Sequence, residues 1–173
     1  AGYALIGVQT FSTLGLSAAL FYALGYFAMS FICFLVVCEV GKDEDQLSTA
    51  SMAGLHQRSP LLALTLLVGL FGLIGLPPTV GFTGKWFLFS AALERGQFYL
   101  VLVAAINSAV ALYYYLLVIR QAYMEEPSSN APLQVSPLLR ATAVATMVLA
   151  VIMGTFPDRF WDMAERAAAA LTG

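Results

Sequence analysis

The chain has 173 residues, of which 60% are hydrophobic and only 10% charged, and its net charge is −2. An average soluble domain carries about 25% charged residues, so a water-soluble globule is excluded, and without a basic run there is no field to attract nucleic acid. What remains is an all-α, polytopic bundle in a lipid bilayer.

Residues 1–38 hold no charge, yet they are too many for one crossing, and QTFSTLG (9–15) interrupts them with polar and helix-breaking residues. A first helix is expected to end near residues 8–11 and a second to run over 16–40, with Tyr22, Tyr26 and Ser30 on one face. Cys33 and Cys38 stand five apart, on different faces of that helix, which suits neither a disulfide nor a metal site. The sequence lacks an initiator methionine and opens inside an apolar run with no charged segment before it, so it is expected to be the C-terminal portion of something longer.

Residues 41–59 gather Lys42, Asp43, Glu44, Asp45, His56 and Arg58 into an aqueous loop, with room for one short helix near 47–55. The acidic triplet lacks the further spaced oxygen ligands of a cation site and reads as solvated loop. His56 is the single histidine, and a proton relay there is a secondary possibility.

Residues 61–93 are mostly apolar and hold a single charged residue, Lys85. One helix of that length would measure about 50 Å against a hydrocarbon core of about 30 Å. Pro77 and Pro78 remove backbone donors and push the residue before them out of the helical region, so the run should split into a helix ending near Leu76 and another starting near Thr79. Carbonyls at 72–75 would then be free of intrahelical bonding and face protein or water. Lys85 falls near the middle of the second piece, where an ammonium is costly unless neutral, paired or wetted. It is the candidate proton-transfer residue, with Thr83 beside it as a path-lining candidate and Gly81 and Gly84 leaving room for close approach.

A turn at Glu94-Arg95-Gly96 leads to a span over 97–119, with Asn107 and Ser108 at its centre and Tyr114 and Tyr115 two turns further on. Polar atoms at that depth need partners in the bundle or in water, which makes these four residues further path-lining candidates, with interhelical hydrogen bonding as the plainer reading. A polar loop at 125–132 precedes a last span over 136–156, giving about six transmembrane helices in a bundle of residues 1–156. Residues 157–173 place Phe160, Trp161, Ala164, Ala168 and Leu171 on one face and Asp158, Asp162, Glu165 and Arg166 on the other. This amphipathic helix is expected at the membrane surface, with Phe160 and Trp161 anchoring it in a groove of a neighbouring subunit.

GLPPTVGFTGKWFLF (75–89), preceded by RSPLLAL (58–64) and followed by ALYYYL (111–116), resembles the antiporter-like membrane subunits of bacterial proton-translocating NADH:quinone oxidoreductase, subunit N in particular. That group also includes subunits L and M and the Mrp-type Na⁺/H⁺ antiporters. The resemblance implies the last six of fourteen helices, the second of two inverted five-helix repeats, other membrane subunits and the bilayer as partners, and the bacterial inner membrane as location. It assigns Lys85 to the lysine of the discontinuous helix and implies that the first repeat, with its own buried glutamate and lysines, lies outside this chain.

The leading reading is therefore a proton-translocating subunit of a quinone-reducing enzyme. It has no redox chemistry and no cofactor of its own, since there is no cysteine cluster, dinucleotide motif or haem-ligand pair; NADH and quinone would be substrates of the whole complex. An Mrp-type antiporter subunit and a purely structural bundle are the alternatives. Counting Lys and Arg over six spans puts the C-terminus in the cytoplasm, whereas the resemblance implies the periplasmic side, which is the orientation preferred here.

Overall fold

The structure is a computed structural model that describes residues 2–43, 48–127 and 131–172. It is all-helical there: α1 (Ala4–Gln9), α2 (Thr13–Val40), α3 (Leu55–Arg58), α4 (Pro60–Ile74), α5 (Val80–Glu94), α6 (Phe98–Met124), α7 (Pro137–Thr155) and α8 (Asp158–Thr172). Ser12 starts α2, its Oγ accepting from Gly15 N at 3.0 Å, as an N-cap should. Ser136 does the same for α7, followed by Pro137 in the first turn. In place of one short helix near 47–55 there is a 3-10 turn at Thr49–Met52 and then α3; Leu47, Glu44 and Asp45 lie outside the described residues. Among the described residues no cluster of potential metal ligands occurs, and Cys33 and Cys38 are both free.

The six apolar helices are present, and α2, α6 and α7 are each long and apolar enough to cross a membrane. α4 and α5, with 15 residues each, measure about 22 Å and are individually too short for the core. Both pack along α2, and their order of contact shows how. Val36 and Val40 share a core with Leu62 and Leu66. Gly69 lies against Ile32 and Cys33, and Gly72 against Met29. Beyond the break, Val80 meets Gly25 and Gly84 meets Tyr22, while Leu88 joins Ala18 and Ala19. Partners thus rise in number along α4 and α5 as they fall along α2. The two short helices are halves of a single crossing, laid end to end and antiparallel to the 28-residue α2.

One crossing where two were expected changes which loops share a side. Leu133 N donates to Arg58 O at 3.1 Å and Gly54 N to Gln121 O at 3.1 Å, so the segments around Arg58, Arg120 and Arg140 meet at the same end of the bundle. At the other end Gln97 Nε2 donates to Gln9 O at 3.2 Å, placing the Arg95 turn beside the end of α1. Six separate spans would have put Arg58 on the side opposite Arg120 and Arg140; the single crossing brings all three to one side and corrects the Lys and Arg count made on six spans.

α7 descends from the Arg58 end to the break, where Gly154 seats against Pro78, Thr79 and Val80. α8 continues in the half of the bundle nearer Arg95. Its Ala164 and Ala168 are buried, and Trp161 packs on Phe87 with ring centroids 4.3 Å apart and on Phe21 at 6.2 Å. The groove expected from a neighbouring subunit is supplied by this chain itself, because α2 and α5 leave an aromatic-lined channel along their flank.

Candidate functional site

The break in the middle crossing decides the site. The last four carbonyls of an α-helix have no partner within the helix. In α4 these belong to Phe71, Gly72, Leu73 and Ile74. Gly75 follows with φ of +89°, in the left-handed region that glycine enters without a Cβ penalty. This lets Leu76 N reach Phe71 O at 2.9 Å and Gly75 N reach Gly72 O at 3.0 Å, the two bonds of a Schellman motif. Leu73 and Ile74 are left over. Their carbonyls accept from Lys85 Nζ at 3.2 and 2.8 Å. The prolines then hold the chain away from helix until Thr79; the peptide between Pro77 and Pro78 is cis.

Lys85 is 6% exposed, and it is the buried charged side chain among the described residues. No carboxylate pairs with it there, since the ion pair found among those residues is Arg120 with Glu125. The ammonium is held instead by the carbonyl end of α4, where the helix dipole is negative, by Ser108 Oγ at 3.3 Å and by the ring of Tyr3, whose centroid lies 4.6 Å from Nζ. A Cβ on Gly75 would lie 3.0 Å from Lys85 Cδ, so the lysine stem crosses the backbone that only glycine leaves open.

Ser108 extends the site. Its Oγ lies 2.7 Å from Tyr3 Oη, which also donates to Ala104 O at 3.1 Å. Tyr3 in turn borders a cleft of about 440 Å³ between α1, α2, α4 and α6, lined among others by Tyr22, Tyr26, Asn107, Tyr114 and Tyr115. Hydroxyls of this kind both donate and accept, so a continuous string from Lys85 through Ser108 and Tyr3 to the cleft can pass a proton by successive exchange.

The sequence candidates thus separate. Ser108 touches Lys85. Asn107, Tyr114 and Tyr115 line the adjoining cleft, and Asn107 Nδ2 donates within its own helix to Val103 O at 3.0 Å. Thr83 points elsewhere, its Oγ1 donating to Gly154 O at 2.7 Å and pinning α5 to the end of α7. His56 stays with the loops: Nδ1 lies 3.1 Å from Ala122 O and its ring stacks on Tyr123. Tyr3 was missed, because nothing in a sequence couples residues 105 positions apart. Gly154 was missed for the same reason.

The family described as NADH:quinone oxidoreductase/Mrp antiporter, TM, matches residues 1–111. A relative from Syntrophobacter fumaroxidans, named NADH-quinone oxidoreductase subunit N 2, is 51% identical over 99% of this chain and 36% of its own length. Another from Heliobacterium modesticaldum, named NADH-quinone oxidoreductase subunit N, is 36% identical over 99% of the chain and 36% of its own length. The chain thus spans about a third of the length of these curated relatives. Among solved structures, a chain of respiratory complex I from Thermus thermophilus with bound aureothin superposes with a TM-score of 0.81 at 30% identity, over 93% of this chain and 36% of that one. A chain of the Mrp complex from Dietzia sp. gives 0.84 at 25% identity, over 97% and 40%. With the family match extending over more than half of its residues, the chain belongs to the NADH:quinone oxidoreductase/Mrp antiporter family of membrane proteins.

Proposed function

We propose that this chain carries a proton-transfer half-path of a membrane translocase subunit in an NADH:quinone oxidoreductase, with Lys85 as the exchanging group. One observation carries the reading: a buried ammonium without a carboxylate, held by two carbonyls released at a helix break and by a hydroxyl string that leads to a tyrosine-lined cleft. An ammonium that only supported packing would gain little from so costly a position. Interrupted helices place backbone dipoles beside ion routes in membrane transporters, and this break does so at Lys85. Ser108 and Tyr3 relay, Asn107, Tyr114 and Tyr115 line the hydrated end, and the amphipathic α8, packed on α2 and α5, lies outside the proton route. Electrons travel in other subunits, which are this chain's partners together with the bilayer of a bacterial plasma membrane.

The topology supports one orientation. With α4 and α5 as a single crossing, Lys42, Arg58, Arg120 and Arg140 share one side and Arg95 lies on the other, with Arg159 and Arg166 on α8 in the half nearer Arg95. Positive-inside counting then favours the first group for the cytoplasm, in line with the periplasmic C-terminus that the family resemblance implies.

An Mrp-type antiporter subunit is the second reading, favoured by the TM-score of 0.84 with the Dietzia chain, beside 0.81 with the Thermus thermophilus chain. The 51% identity to a subunit N relative, against 25% for that chain, supports the first. Purifying the parent protein from its source membrane separates them. Co-purification with flavin and iron–sulfur subunits and redox-driven proton uptake are expected; a complex of hydrophobic subunits alone that exchanges Na⁺ for H⁺ would overturn the proposal.

A further inference from the structure

At the end of the bundle away from Arg95, the segment before α4 and the segment before α7 enclose a cleft of about 290 Å³. Its wall comprises Arg58, Ser59, Pro60, Leu61, Leu133, Val135 and Arg140, two guanidinium groups with no carboxylate. The bond from Leu133 N to Arg58 O ties the two segments and fixes the wall. We infer that this cleft is a binding site for a phosphate group at the membrane boundary, with Arg58 and Arg140 as its ligands.

Four features converge on it. Arg140 stands in the first turn of α7, and Arg58 closes the four-residue α3 two residues before α4 begins. The helix dipole is positive at the start of α7, so Arg140 is electrostatically misplaced there unless an anion joins it. Neither arginine has a carboxylate within 4.0 Å among the described residues. Arg58 is held by a 3.4 Å bond from Nη1 to Ser51 O, while its Nε is buried and has no hydrogen-bond partner. That N–H is a guanidinium donor with no acceptor among the described residues. Phosphate oxygens match the planar fork of a guanidinium, and the remaining wall, Pro60, Leu61, Leu133 and Val135, is apolar. A cationic mouth over an apolar wall at the depth where helices begin fits the phosphodiester of an anionic phospholipid. Inorganic phosphate would satisfy the same donors.

The test uses the full-length parent protein in its purified complex, reconstituted in phosphatidylcholine nanodiscs and exposed to photoactivatable phosphatidylglycerol or photoactivatable phosphatidylcholine. Phosphatidylglycerol should label peptides containing residues 58–61 and 133–140, and the label should fall about fivefold for Arg58→Gln or Arg140→Gln and about thirtyfold for both together. Arg120→Gln, on the same side but outside the cleft, should leave it unchanged. Competition separates the sources: loss of label with millimolar inorganic phosphate identifies free phosphate as a ligand, whereas persistence identifies the lipid, and either supports the site. Equal labelling by the two lipids in the unmodified protein, with no effect of inorganic phosphate, overturns it without any variant.

Discussion

Replacing Lys85 by Met tests the proton-transfer reading most directly, since the two side chains are similar in length and the packing around Gly75, Tyr3 and Ser108 is retained. The substitution removes three hydrogen bonds from the ammonium and leaves the Leu73 and Ile74 carbonyls and the Ser108 hydroxyl short of a donor. An unsatisfied buried carbonyl costs about 1–3 kcal/mol, so the two together cost about 2–6 kcal/mol. Against this, the buried ammonium no longer has to be held away from water, which recovers several kcal/mol. The two effects are opposite in sign and similar in size, so the net change is smaller than either, a difference that a large complex tolerates without disassembling. The Met variant of the full-length parent protein should therefore assemble and pass electrons, while protons moved per electron in proteoliposomes decrease. Lys85→Arg separates proton exchange from charge. Its guanidinium keeps positive charge and donors for the same carbonyls but does not deprotonate in proteins. Pumping should fall in the Arg variant as it does in Met. A parental proton-to-electron ratio in either variant would remove Lys85 from the exchange step, and collapse of the complex in both would show that its role is structural.

Gly75→Ala should lower thermal stability by about 1–2 kcal/mol for the left-handed backbone alone, and pumping should fall with it as the new Cβ crowds the Lys85 stem; unchanged pumping would show that the lysine need not lie across Gly75. Ser108→Ala deprives both Tyr3 and Lys85 of a partner, so pumping should slow with assembly intact, and a parental rate would break the proposed hydroxyl string. Trp161→Ala deletes contacts with Phe87 and Phe21 and should destabilise α8 by about 2–4 kcal/mol, read as faster proteolysis within 158–172; an unaltered cleavage rate would show that α8 is held by something else.

Local chemistry made much of this legible from residues alone. The paired prolines required a break, and the free carbonyls expected at 72–75 are those of Leu73 and Ile74, because helix ends, glycine and proline act within a few residues of themselves. The cost of a charge in an apolar run singled out Lys85 before any partner was known. Residues 157–173 show the limit of that reasoning. Their amphipathic pattern specified a helix with Phe160 and Trp161 on its apolar face, yet which surface receives that face depends on the shape left between α2 and α5.

What only the tertiary structure decided is of that second kind. Two short apolar helices either form a hairpin of two crossings or stack as one, and composition is the same in both cases. The close approach of Gly72 to Met29 on α2 and to Gly81 on α5 brings the halves end to end, and with that the sides of Arg58, Arg120 and Arg140 change. Tyr3 reaches Ser108, and Gly154 receives Thr83, through contacts 105 and 71 residues apart. Periodicity reports which face of a helix is apolar, whereas the partner of that face is fixed by how the helices fill space against one another.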